Sequence, residues 1–257
     1  MPLLMVYGKG EEVVGDQLVR FDAVHKAFKG KVVIEELNLK VAHGEAVALC
    51  GGNGAGKSTL LRMLAGILHP TKGVITVNGQ TCRDDRREYA RHIGYMPDDY
   101  RFSPGLTALE TMLFWARLRG LGQARAREAL SMVGLSDTGS KSVASFSKGM
   151  RQRVLFAQAI MARPLLVIMD EPTNGLDPYW MDTFVMLVRQ AVAEGQTILF
   201  STHQLEIAEA LADRIVFLRD GNVVLDGNTG ELRQTYGAEG MRRAFRELFG
   251  INGGSPK

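Results

Sequence analysis

Gly51-Gly52-Asn53-Gly54-Ala55-Gly56-Lys57-Ser58-Thr59 fits the pattern GxxxxGK[ST], and its reading decides the fold. The apolar run Ala46-Val47-Ala48-Leu49-Cys50 before it reads as a buried strand. Leu60-Leu61-Arg62-Met63-Leu64-Ala65 behind it reads as a helix. In a strand–loop–helix frame, glycines let successive N–H groups curl toward an anion, and the positive end of the helix dipole adds to the attraction. Lys57 is placed to reach β- and γ-phosphate oxygens, and the Ser58 hydroxyl to ligate Mg²⁺. The stretch predicts a nucleoside triphosphate site rather than a glycine-rich turn that binds nothing.

Composition narrows the setting. The 257 residues are enough for one sizeable α/β domain with an insertion, and few for two independent domains. A net charge of +3 is too small to argue for nucleic acid. No apolar run approaches a membrane span and no signal-peptide pattern opens the chain, so a soluble, cytosolic protein is expected. Cys50 and Cys82 lack CxxC spacing, which argues against a disulfide scaffold or a zinc site; Cys50 is expected to lie buried beneath the phosphate loop.

Working outward, residues 1–16 read as a loose arm. Leu18–Phe21, Val32–Ile34 and Leu37–Leu39 read as short antiparallel strands ahead of the loop. Val74–Val77 followed by Asn78-Gly79 reads as a strand ending in a turn, with a hairpin cue. From about 98 to 150 the pattern is helical: Thr107 and Glu110 form a capping box, Met112, Leu113, Trp115 and Ala116 share a face, and a second helix spans about 124–133. This stretch of about 50 residues interrupts the strand–helix alternation and is read as an inserted helical subdomain. Alternation then resumes with the strand Leu165–Met169, a helix capped by Asp177 with Pro178 in its first turn, and the strand Thr197–Phe200. Ser201 with Gln204 is expected to cap the next helix, and a hairpin turns at Asp220-Gly221. Met241, Phe245, Leu248 and Phe249 are spaced for an amphipathic helix that packs on the domain; contact of Arg242, Arg243 and Arg246 with acidic lipid is the weaker alternative.

A phosphate loop needs a carboxylate to hold Mg²⁺. Asp170 ends a buried strand, where α/β sheets place their ligands, and can share the metal with Ser58. The adjacent Glu171 can polarise a water for in-line attack.

With Phe146-Ser147-Lys148-Gly149-Met150-Arg151-Gln152-Arg153, Leu165–Pro172, Asn174-Gly175-Leu176-Asp177 and His203, these motifs stand in the order of an ATP-binding-cassette (ABC) ATPase. The resemblance covers roughly residues 18–230, and the SKGMRQR form resembles ATPase subunits of bacterial exporters of the antibiotic-efflux type. It implies an α/β P-loop NTPase core with a mostly parallel sheet, an N-terminal antiparallel β subdomain and an inserted helical subdomain. The ATPase domain would span 17–230, with a C-terminal helical tail at 231–257. ATP and Mg²⁺ are the implied ligands.

The resemblance also implies roles. Phe28 stands where an aromatic residue stacks on adenine, its other reading being a core phenylalanine. Gly51, Gly52, Asn53, Gly54, Ala55, Gly56, Lys57, Ser58 and Thr59 would cradle the phosphates. Ser147 and Gly149 match the signature that contacts the γ-phosphate held by another subunit; Ser147 also opens a helical run whose start faces an anion. Asp177 matches an aspartate that communicates across a dimer, and it also reads as an N-cap. His203 matches a histidine that contacts the γ-phosphate, so Glu171, His203 and Lys57 form the implied catalytic set.

Four positions depart from the commonest family form. Gly52 replaces a frequent proline, and Lys148 and Met150 replace the glycine and glutamine of an LSGGQ-type signature; these are expected to tune affinity. Asp98, after Tyr95-Met96-Pro97, stands where the family usually has a glutamine that touches Mg²⁺; it is expected either to keep the metal role and make closure more Mg²⁺-dependent, or to be only a loop acid next to Asp99.

One loop and one signature per chain imply a head-to-tail twofold dimer, with a second copy or a homologous subunit completing each site. The leading expectation is the motor subunit of an exporter, at the cytoplasmic face of the membrane. An integral-membrane permease would dock near Pro97–Leu118, where Tyr100, Phe102, Leu106 and Trp115 offer apolar anchors, although Trp115 reads equally as subdomain core. A soluble ABC ATPase, for example of the iron–sulfur cluster assembly type, is the alternative. Only about 110 residues separate Lys57 from Asp170, too few for the long coiled coil of chromosome-maintenance relatives.

Overall fold

The computed structural model describes residues 17–236. The N-terminal arm and the helix expected around Met241–Phe249 lie outside the described residues. In chain order the elements are β1 (Gln17–Phe28), β2 (Lys31–Ala42), β3 (Ala46–Cys50), α1 (Lys57–Leu64), β4 (Lys72–Val77), α2 (Arg86–Arg91), β5 (Ile93–Met96), α3 (Ala108–Leu118) and α4 (Gln123–Met132). Then follow α5 (Lys148–Ile160), β6 (Leu166–Met169), α6 (Pro178–Ala193), β7 (Thr197–Thr202), α7 (Leu205–Leu211), β8 (Arg214–Arg219), β9 (Asn222–Asn228) and α8 (Thr229–Tyr236).

Among the described residues, two sheets organise the fold. The larger has six strands in the order β5-β6-β7-β3-β8-β9, parallel except for β9, which pairs antiparallel with β8. The smaller is antiparallel, in the order β2-β1-β4. The three strands expected before the loop are two long ones. Val32–Ile34 and Leu37–Leu39 both belong to β2, which bulges at Glu36, where φ is 34°. The polar residues between the apolar runs mark this bulge, not a strand end. Asn78 and Gly79 do form a tight turn, and Val77 and Gln80 exchange two hydrogen bonds across it; they make an isolated bridge, and β4's ladder partner is β1.

Period-two alternation of side chains builds a core on each face of the six-stranded sheet. Val47, Leu49, Leu166, Ile168, Leu199, Val216 and Leu218 pack with α1, α2 and the antiparallel sheet. Their neighbours Ala46, Ala48, Val167, Met169, Ile198, Phe200, Ile215 and Phe217 pack with the helices from α3 onward. That two-sided burial is why these strands are apolar at every position rather than at every second one.

Between β5 and α5 lie α3, α4 and two short 3-10 turns, at Ser136–Thr138 and Val143–Ser145. Thr107 caps α3 by accepting from Glu110 N, while the Glu110 carboxylate accepts from Thr107 N at 2.9 Å, the expected capping box. Met112 and Ala116 are fully buried, and Leu113 and Trp115 pack against the same core at partial exposure.

Candidate nucleotide site

β3 runs straight into the phosphate loop, and α1 begins at Lys57 with Gly56 as its N-cap. The first helical bond is donated by Leu60 N to Gly56 O at 2.9 Å. The N–H groups of Lys57, Ser58 and Thr59 therefore have no acceptor within the helix and point out of its N-terminus, as an anion site requires. Gly52, Asn53 and Gly54 form the exposed rim of the loop; Gly51, Ala55, Gly56 and Lys57 are buried beneath it. Lys57 Nζ donates to Gly51 O at 2.7 Å and Gly52 O at 3.2 Å, and stands 3.9 Å from Glu171 Oε1. A buried ammonium held on two carbonyls can exchange them for phosphate oxygens without crossing the site.

Asp170 is 1% exposed, at the end of β6. Its Oδ1 accepts from Ser58 Oγ at 3.0 Å and from Ser201 Oγ at 2.7 Å. Ser201 Oγ in turn accepts from Glu171 N at 2.9 Å. Ser201 thus fixes both acids, which corrects its expected role as a helix cap: it is the fifth residue of β7, fully buried, and the cap position of α7 belongs to Gln204, without a side-chain bond. Met169 pairs with Phe200 in the β6–β7 ladder, so the next residues on each strand, Asp170 and Ser201, fall side by side. The signal was present in the polar end of Thr197–Thr202, but reading it requires knowing that β6 and β7 are neighbours.

Glu171 has φ of 48°, an uncommon conformation for a non-glycine residue and one that recurs at functional positions. Its carboxylate lies between Lys57, 3.9 Å from Oε1, and His203, whose Nδ1 is 2.8 Å from Oε2. His203 is 53% exposed and Glu171 14%, so the pair spans from the site's interior to its surface. Below the loop, burial pushes the Cys50 thiol up to about 12, with Lys57 partly opposing and Glu171 adding to the rise. It is a neutral packing group, as its place beneath the loop led us to expect.

Phe28 sits at the tip of β1, 42% exposed, with Lys26 Nζ 4.7 Å from its ring centroid. An exposed ring is the form in which it could stack on a base, and the core reading does not hold. Phe28 pairs with Lys31, while Val33, two residues on, approaches Gly56. That puts the hairpin tip beside the phosphate loop.

The other predicted residues lie on different elements. Ser147 is exposed and caps α5, accepting from Met150 N at 3.2 Å. Gly149 packs so closely that a Cβ there would stand 2.6 Å from Gly175 O. Asp177 caps α6 through Trp180 N at 2.9 Å. Asp98 Oδ1 accepts from Asn174 Nδ2 at 3.1 Å, tying the loop after β5 to the loop after β6. The structure brings Lys57, Ser58, Asp170, Glu171 and His203 together directly, and joins Asp98 to the segment that ends in Asp177.

Mg²⁺ takes few protein ligands, commonly one or two oxygens with the rest from water and phosphate. A serine hydroxyl and a carboxylate 3.0 Å apart at the foot of an anion-binding helix start fit that donor set. Among the described residues no helix is long and apolar enough to cross a membrane.

Comparison with known proteins agrees with this geometry. The ABC transporter family model matches residues 34–174. The linearmycin resistance ATP-binding protein LnrL of Bacillus subtilis is 33% identical over 226 residues, covering 86% of this chain and 73% of the relative. The Nod factor export ATP-binding protein I of Bradyrhizobium diazoefficiens is 37% identical over 214 residues, covering 81% and 70%. A solved dimeric, post-hydrolysis ATP-binding cassette bound to ADP and Pi superposes with a TM-score of 0.75 at 27% identity, over 82% of this chain and 98% of that one. The chain therefore belongs to the ABC transporter family, as one of its ATP-binding, ATP-hydrolysing subunits.

Proposed function

We propose that this subunit drives an exporter by closing as a twofold dimer around two Mg²⁺-bound ATP molecules, each gripped by one chain's phosphate loop and covered by the other chain's α5. The observation that carries this reading is the split of anion-binding groups. α1 presents its free N–H groups above Lys57, whereas α5, with Ser147 exposed, opens a second helix start to solvent. The dimeric relative bound to ADP and Pi and the relative named for export support the two halves of the proposal.

Within one site the residues divide the work. The loop N–H groups and Lys57 hold the β- and γ-phosphates. Ser58 and Asp170 would hold the metal, which when bound supplies charge neutralisation on the phosphate oxygens. Glu171 accepts a hydrogen bond from an in-line water and takes up its proton as the water attacks, and His203, 2.8 Å from the Glu171 carboxylate, fixes that carboxylate's orientation. Phe28 stacks on the base. Asp98, held by Asn174, links the site to the segment 98–150, which we read as the inserted subdomain that a permease moves.

The docking face we propose for the permease is the aromatic group of Tyr100, Phe102 and Trp115, with ring centroids 4.9 to 6.1 Å apart, together with Leu106. Tyr100 and Leu106 are exposed, as are Phe114 and Leu118 on α3. On this reading the chain is held at the cytoplasmic face of a membrane through its permease. The test is recovery of the tagged chain from detergent-solubilised membranes, with mass spectrometry of what accompanies it. A polytopic hydrophobic protein in stoichiometric amount is the expected partner; a soluble scaffold protein in its place would overturn the transport reading.

A further inference from the structure

Arg153, Gly134 and Trp180 meet at one point although they come from three elements: α5, the turn after α4 and the first turn of α6. The Arg153 guanidinium carbon lies 4.0 Å from the centre of the Trp180 ring, and its Nη1 donates to Val133 O at 3.2 Å. A planar guanidinium can stack and donate at once, which an ammonium cannot. Gly134 has φ of 62°, and a Cβ there would stand 2.5 Å from Trp180 Cζ2, so the indole lies against bare backbone. Trp180 N is the donor that Asp177 caps. Asp177 also acts electrostatically on Arg153, opposing the lowering that burial causes there.

A second contact, one turn earlier on α5, joins that helix to the loop before α6. The Lys148 stem and Gly149 lie against Gly175. One contact between a helix and a loop leaves a hinge, whereas two separated along the helix fix its rotation as well. Arg153 and Trp180 together line a small cavity that Gln152, Phe156, Leu176 and Phe184 close off.

We propose that Arg153, Trp180 and Gly134 form a clamp that fixes the start of α5 relative to Asp177, so that Ser147, Gly149 and Asp177 meet a second copy of the chain as one rigid surface. The proposal rests on the composite-site reading above. Arg153 and Trp180 are positioning residues, acting through Ser147 and Asp177.

The test uses the full chain carrying Glu171→Gln, so that bound ATP persists, with dimer formation followed by sedimentation over an ATP titration. ATP affinity is measured separately, at chain concentrations where the protein is monomeric. Adding Trp180→Leu or Arg153→Met is expected to weaken ATP-driven dimerisation by about tenfold or more, with monomer ATP affinity unchanged within about twofold. Trp180→Phe, which keeps a ring under the guanidinium, should restore most of the loss. The Trp180→Leu/Arg153→Met pair should be little worse than either alone, because both break one device. Dimerisation equal to the background in both single variants overturns the clamp. So does a parallel fall in monomer ATP affinity, which marks a general structural role; Arg153→Met, at a partly exposed position, keeps the test open if a Trp180 variant fails to fold. A background that stays monomeric at every ATP concentration overturns the composite-site reading itself, a distinguishable result.

Discussion

The six-stranded sheet and the helical segment between β5 and α5 are built on opposite terms. Every residue of β3, β6 and β7 is buried, and the acids and hydroxyls at their ends are tied to one another by Ser201. In the helical segment α3 buries only Ala108, Thr111, Met112 and Ala116, and α4 only Ala126, Ala129 and Leu130, while Phe114 and Leu118 face solvent at 56% and 68%. Fewer fully buried side chains hold α3 and α4 than hold the strands, so less buried area opposes a shift of these helices than of the sheet. On the proposed reading, the groups that grip ATP are held by the buried sheet, whereas the permease's docking face lies on the part held by the smaller contact.

The sharpest way to break the comparison is to disable chemistry in the rigid part alone. Glu171→Gln should lower ATP turnover by roughly 10²- to 10⁴-fold while leaving ATP binding intact, since the amide keeps the shape but cannot take up a proton. Steady-state hydrolysis beside a binding isotherm checks it, and equal losses in both would mean that Glu171 grips rather than activates. A smaller effect tests whether the sheet's rigidity depends on its polar ties. Ser201→Ala leaves the Glu171 N–H without its acceptor and removes one donor from Asp170, at about 1–3 kcal/mol. For a chain of this size that lowers Tm by about 2–4 °C per kcal/mol, readable by calorimetry. Smaller still is the cost in the helical segment. Thr107→Ala removes the α3 cap at about 1 kcal/mol. It should leave ATP affinity unchanged, which would sharpen the claim that this layer does not grip the nucleotide.

Much of this was legible in the residues because the site is local in sequence. Gly51–Thr59, Asp170-Glu171 and Asp177-Pro178 each carry their own strand, loop or cap signal within a few positions. What was not legible depends on neighbours far along the chain. Ser201 looks like a helix cap until β7 is placed beside β6, and the clamp of Arg153, Gly134 and Trp180 joins residues whose local roles are unremarkable. The bulge at Glu36 split one strand into two apparent ones for a related reason, since a bulge is defined by the partner strand it interrupts.

The central claim is that each ATP site is shared between two chains, and mixing two inactive variants tests it most directly. Lys57→Ala disables the phosphate loop and Ser147→Arg the signature, so each alone should hydrolyse little ATP. In a mixed dimer one site combines the intact loop of one chain with the intact signature of the other. The account predicts that an equal mixture recovers activity, up to about a quarter of the unmodified chain's for random pairing. A mixture as inactive as its components, with mixed dimers shown to form, would contradict it.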